Sequence, residues 1–195
     1  SGSGEYGTPA WVFDPLNKRF HFTLDPASSQ LNFKVPRHCT TSGLYIQHFS
    51  TPYKLANTDG LTTSWKDERV FLNPPYGRGI VPWVRKCARE PAEVVVALLP
   101  ARTDTQWFHR WVFPYASLYF NMGRIKFDGA RNSAPFPSMI AVFRSALPRP
   151  TTRCYACDLS TTDVFDDREN FVPKLSPKGV DKRFSRATMG ENAPR

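Results

Sequence analysis

The sequence predicts a single α/β domain, a sandwich whose mixed sheet ends in an antiparallel C-terminal hairpin. Three observations carry that reading. "VVVALL" at 94–99, bounded by Glu93 and Pro100, suits a strand buried on both faces. "IVPWVRKCARE" just before it carries an apolar face at helical spacing and follows a second apolar run, "RVFLN", so strand, helix and strand alternate. "ASLYFNM", "RIKF" and "SMIAVF" then succeed one another with only short breaks, the pattern of antiparallel additions at a sheet edge. With 195 residues, 41% of them hydrophobic, one core is affordable and two full domains are not expected.

The elements follow in order. "SGSG" at 1–4 reads as an engineered scar and is set aside. "TPAWVFDPLNKRF" predicts a helix, with Pro9 at its start, Thr8 as N-cap, and Trp11, Val12, Leu16 and Phe20 near helical spacing. "FHFTLDPASS" predicts a short strand ending at Asp25. Residues 30–58 are polar and punctuated by Pro36, Gly43 and Pro52, so loops with at most short elements are expected. "DTQWFHRWVF" predicts a second helix after the central strand. From Leu147 Pro, Ser, Thr and charge dominate without periodicity, which divides the chain into a domain over 5–146 and an irregular basic and polar extension over 147–195.

Net charge is +9, with 17 Lys and Arg against 10 Asp and Glu in residues 1–146 but 9 against 7 beyond them. A basic surplus concentrated in the folded part favours a polyanionic partner such as nucleic acid. The four cysteines, at 39, 87, 154 and 157, are too sparse for a secreted disulfide scaffold, and no apolar run approaches the roughly 20 residues of a membrane span, so an intracellular protein is expected. "CYAC" at 154–157 lacks two further ligands at metal-binding spacing, so no metal is expected.

The chemistry concentrates in "NPPYG", 73–77. Pro74 and Pro75 stop the strand because neither ring nitrogen can donate to a ladder, which presents Asn73 at a rigid strand end. Ligands of open α/β sheets bind outside such carboxyl ends. An exocyclic amino group on a nucleobase is a poor nucleophile because its lone pair is delocalised into the ring. Asn73 Oδ1 and the Pro74 carbonyl supply two acceptors that would hold its hydrogens and turn the lone pair toward an electrophile. Tyr76 adds a flat face for base stacking, a contact worth about 1–3 kcal/mol. The same four residues suit adenine N-6 and cytosine N-4 equally.

Together with "TPAWVFDPLNKRFHFTLDPASS", "DGLTTSW", "LLPARTDTQWFH", "GRIKF" and "APFPS", in that order, the motif resembles the phage-type DNA N-6-adenine methyltransferase (Dam) family over residues 6–145. The resemblance implies a Rossmann-like methyltransferase fold, a three-layer sandwich, with S-adenosylmethionine at the strand ends and a flipped adenine in DNA, duplex or single-stranded, as substrate. It implies Asn73, Pro74, Pro75 and Tyr76 as the catalytic set. It places Thr8, Pro9, Trp11, Asp25, Pro26, Ala27, Asp59, Leu61 and Asn73 around the cofactor, although "PASS" stands after Asp25 where broader methyltransferases carry a glycine-rich turn. Gly77, Arg78, Arg102, Asp104, Arg124, Lys126 and Phe136 are the expected substrate contacts, Phe136 as an apolar wall of a purine-sized pocket. Cytosine N-4 or RNA adenine methylation, and a nucleic-acid-binding module without cofactor, are the alternatives. Asp59 is equally suited to an ordinary Asp-Gly turn.

Overall fold

The computed structural model describes residues 7–48, 51–144, 148, 153–157 and 159–160. The elements are α1 (Ala10–Phe20), β1 (Arg37–Thr40), β2 (Gly43–His48), β3 (Thr51–Ala56), β4 (Arg69–Leu72), α2 (Ile80–Arg89), β5 (Val94–Pro100), a short π-helical segment (Phe108–Val112), β6 (Ala116–Asn121), β7 (Ser138–Phe143) and β8 (Cys154–Cys157).

They build two sheets. The larger is mixed, in the order β4-β5-β7-β6-β8: β4 and β5 are parallel, β7 runs antiparallel between β5 and β6, and β8 lies parallel to β6. The smaller is the antiparallel meander β1-β2-β3. Between them runs the extended segment around Leu24 and Asp25, which forms a parallel bridge to Val70 of β4 through Leu24 and another to His38 of β1 through Asp25.

Every residue of β5 is buried, and its alternation decides which layer each side chain enters. Val94, Val96 and Leu98 pack with Val12, Phe13, Leu16 and Phe20 of α1, while Val95, Ala97 and Leu99 pack with Ile80, Val84 and Cys87 of α2 and with Phe108 and Val112. Helices thus cover both faces. At about 1.5–3 kcal/mol for each fully buried large aliphatic side chain, this strand is the energetic centre of the molecule.

The predicted alternation of strands and helices around "RVFLN", "IVPWVRKCARE" and "EVVVALLPA" is present, as is an antiparallel β6–β7 pair. Five expectations are corrected. Within 30–58, where loops with at most short elements were expected, β1, β2 and β3 join into a three-stranded antiparallel sheet, while 30–36 are turns and bends. Gly43, at φ 151°, lets the chain pass against the Ala56 carbonyl, and Pro52 lies on the edge strand β3, so the punctuation that suggested loops is accommodated inside a sheet. Thr8 does not cap α1. The Pro9 carbonyl accepts from Val12 and Phe13, and the cap residue is Pro9 without a side-chain bond. "RIKF" buries Ile125 and Phe127 and exposes Arg124 and Lys126 as a strand would, yet finds no ladder, only a bridge from Asp128 to Gly7. The second helix shrinks to the short π-helical stretch. The extension begun at Leu147 supplies β8, which sets Cys154 and Cys157 three residues apart on an extended strand, one exposed and one buried. The rest of the predicted extension, 147, 149–152, 158 and 161–195, lies outside the described residues, as do 1–6.

Candidate active site

β4 delivers the apolar triplet Val70, Phe71 and Leu72 into the core and stops where Pro74 begins, so Asn73 stands at the carboxyl edge of the larger sheet. The Asn73 amide is held: Nδ2 donates to Thr8 Oγ1 at 3.0 Å, and Thr8 is itself only 2% exposed. With Nδ2 turned to Thr8, Oδ1 is the other end of the amide and can only accept. The hydroxyl predicted to cap a helix therefore orients the motif's amide instead.

Tyr76 is held at both ends. Its hydroxyl donates to the Leu98 carbonyl at 3.3 Å, and its ring meets Phe127 and Phe136 edge-on, with centroids 6.2 and 5.4 Å away. Phe136 thereby packs on the motif's tyrosine, though it lines neither of the two cavities beside Asn73. Gly77 follows at φ 89°, a left-handed turn that a side chain would strain, and returns the chain into α2.

Asn73 lines two neighbouring cavities. The larger, of about 270 Å³, is bounded by Pro26, Ala27 and Ser28 after the bridging segment, by Asn32, by Cys39, Thr40 and Thr41 at the end of β1, by Asp59, Gly60 and Leu61, by Asn73, Pro74 and Pro75, and by Trp83 of α2. The smaller, of about 20 Å³, lies among Gly7, Thr8, Asp25, Ala27, Asn32, Lys34, Phe71 and Asn73. One wall of the larger is set by a close approach, since a Cβ on Gly60 would overlap the Pro26 carbonyl. Trp65, fully buried, donates its indole N–H to the Gly60 carbonyl at 3.0 Å and holds the wall there. The Asp59 carboxylate accepts from the Leu61 and Thr62 amides and the Thr62 hydroxyl, closing its own turn at the rim.

Asp25 is buried, at 3% exposure. Burial raises its pKa to about 6, against the lowering effect of hydrogen bonds from the Lys34 and Ala27 amides and of the nearby Lys34 charge. The carboxyl lines the smaller cavity beside Asn73 and Thr8.

The other predicted residues separate by place. Pro26, Ala27, Asp59 and Leu61 line the larger cavity and Thr8 and Asp25 the smaller. Pro9 is buried at the start of α1, while Trp11, 41% exposed, lines neither cavity. Arg102 and Asp104 are exposed on the loop leaving the carboxyl end of β5, and Gly77 and Arg78 on the turn after the motif. Arg124 and Lys126 are exposed on either side of buried Ile125, and Arg124 Nη1 donates to the Ala134 carbonyl at 3.4 Å. None of these five side chains lines either cavity.

A family model described as DNA N-6-adenine-methyltransferase (Dam) matches residues 3–157. The chain belongs to the Dam family. No curated protein matches the sequence. Membership implies methylation of adenine N-6 in DNA, and the matched span contains every residue of both cavities and reaches through β8. Among the described residues no helix is long and apolar enough to cross a membrane.

Several residues that line the two cavities escaped the sequence reading: Ser28, Asn32, Cys39, Thr40, Thr41, Gly60 and Trp83 in the larger, and Lys34 in the smaller. Most come from the stretch expected to be irregular. Gly60 did carry a signal in its Asp-Gly pair, but the pair was consistent with any turn.

Proposed function

We propose that this chain transfers a methyl group from S-adenosylmethionine to the N-6 amino group of adenine in DNA, with the target base flipped out of the stack. The observation that carries the reading is the Asn73 amide, anchored by Thr8 at the carboxyl edge of a parallel pair and shared by two adjoining cavities. The chemistry of the walls fits the cofactor. Pro26, Leu61, Pro74 and Trp83 offer apolar surface beside the polar groups of Thr40, Thr41 and Asp59, which suits a nucleoside, and the adjoining cleft of Asp25 and Lys34, with room for about one water, lies at its edge. When bound, the cofactor supplies a methyl that its sulfonium has already made electrophilic.

The task left to the protein is alignment. Asn73 Oδ1 and the Pro74 carbonyl accept the two amino hydrogens, drawing the nitrogen toward a tetrahedral geometry with its lone pair directed at the methyl. The Tyr76 ring, braced by Phe127, Phe136 and the Leu98 carbonyl, offers a stacking face that costs little to order. The amino proton departs after transfer, when the nitrogen has become strongly acidic, so Asn73 needs no charge. Arg102, Asp104, Arg78, Arg124 and Lys126, exposed around the carboxyl edge and the segment after β6, are assigned to the DNA strand rather than the base. The methyltransferase unit is 5–146 in this reading, extended by the β8 strand.

The test is incubation with labelled cofactor and duplex or single-stranded DNA, followed by digestion to nucleosides and mass spectrometry. N-6-methyladenine is expected, with N-4-methylcytosine below about a tenth of it because a smaller ring is poorly aligned in a purine-sized pocket. A dominant methylcytosine signal overturns the choice of base, and no labelled nucleoside overturns the activity.

A further inference from the structure

Three arginines converge on one indole on the face of the molecule that carries α2. The guanidinium carbons of Arg85, Arg89 and Arg110 lie 5.7, 5.3 and 5.1 Å from the centre of the Trp111 ring. All three are exposed while Trp111 is half-buried, and among the described residues none of the three has an acidic partner. The contrast within α2 is informative. Lys86, one position on from Arg85, is neutralised by Glu90 four residues later at 2.9 Å, whereas Arg85 and Arg89 set like charges at the same spacing. The C-terminal end of a helix favours a cation at Arg89, but not at Arg85 in mid-helix or at Arg110 on another element. An indole face accepts guanidinium groups and orders their planes, yet it carries no charge to offset three cations.

We infer that Arg85, Arg89, Arg110 and Trp111 form a second nucleic-acid contact, one that takes the phosphate backbone of duplex DNA flanking the target base. The inference rests on the proposed DNA substrate. α2 begins at Ile80, directly after the motif, and at 1.5 Å per residue Arg85 and Arg89 lie about 8 and 14 Å farther along its axis. At about 3.4 Å per base pair along one strand that is some two to four base pairs, so a short duplex engages the motif without the arginines and a longer one reaches both. Guanidinium forks match phosphate oxygens in pairs, and their approach to the Trp111 ring limits how far they must be ordered on binding.

The experiment compares two hairpin-capped duplexes carrying the same target, one with two flanking base pairs on each side and one with twelve, using wild type, the R85Q/R89Q/R110Q variant and the single variant Arg85→Gln. Wild type is expected to bind the long duplex at least tenfold tighter than the short one. Its salt dependence on the long duplex should exceed that of the triple variant by roughly 2–3 in log–log slope, at about 0.9 per phosphate released. Methyl transfer to the short duplex should be the same in all three proteins. Arg85→Gln alone should lower the slope by about 1, which keeps the test available if the triple variant does not fold. Equal slopes and equal gains on lengthening in wild type and Arg85→Gln overturn the assignment while leaving the methyltransferase reading intact. No binding or methylation of either duplex by wild type overturns both.

Discussion

Replacing Asp25 with Asn should make the protein more stable at pH 8 and less stable near pH 4. The carboxyl is held at about 6 against an ordinary 3.8, with burial as the leading cause. The folded state therefore binds this proton more tightly than the unfolded chain does. Stability carried by Asp25 is fully present below about pH 4 and is lost as pH rises through 6. At about 1.4 kcal/mol per pKa unit, the ionised form costs the folded state about 3 kcal/mol at pH 8. Asn removes that cost and keeps one oxygen for the Lys34 amide, which donates at 2.9 Å. It replaces the other oxygen with an NH₂ facing the Ala27 amide, a mismatch of about 1–2 kcal/mol, so the net gain at pH 8 is about 1–2 kcal/mol. Urea unfolding of both proteins at pH 8 and pH 4.5 measures it. A variant less stable than wild type by the same margin at both pH values would refute the reasoning, since the lost interaction would then have nothing to do with a penalised charge.

Two further outcomes follow from the site. Asn73→Ala should lower single-turnover methyl transfer at least about 100-fold while cofactor affinity, read by calorimetry, stays within about tenfold, because in the proposed mechanism its Oδ1 accepts a hydrogen of the reacting amino group; turnover within threefold of wild type removes Asn73 from the chemistry. Gly60→Ala should cost about 1–3 kcal/mol in thermal unfolding as the added methyl pushes the 59–61 wall off the Pro26 carbonyl, and should weaken cofactor binding alongside; an unchanged melting temperature would mean the wall yields freely.

The central part of the fold was legible because its signals were local. The apolar block at 94–99 and the Pro-Pro stop after Leu72 each specify an element without reference to the rest of the chain. The meander β1-β2-β3 was not legible, because its strands interleave polar residues with Gly43 and Pro52, whose tolerance depends on a bulge and an edge that only the assembled sheet defines. The same holds for the site. Asn73 and Tyr76 announced themselves within one tetrapeptide, but the role of Thr8 depends on a bond spanning 65 residues, and as a hydroxyl before a helix its nearest reading was a cap. Arg85, Arg89, Arg110 and Trp111 carry no shared motif at all, since they meet only once α2 and the π-helical segment are packed.

The segment at Leu24 and Asp25 is stitched to both sheets by main-chain hydrogen bonds, to Arg69 and Phe71 on one side and to Arg37 and Cys39 on the other. A seam bonded in this way couples them: a side chain that tilts the meander relative to β4 must drag the peptide bearing the Asp25 carboxyl, and with it the wall shared by both cavities. The meander, distant from the chemistry in sequence, is therefore part of the ruler that sets the gap between the two cavities, and changes in its packing will register as altered ligand spacing before they register as unfolding.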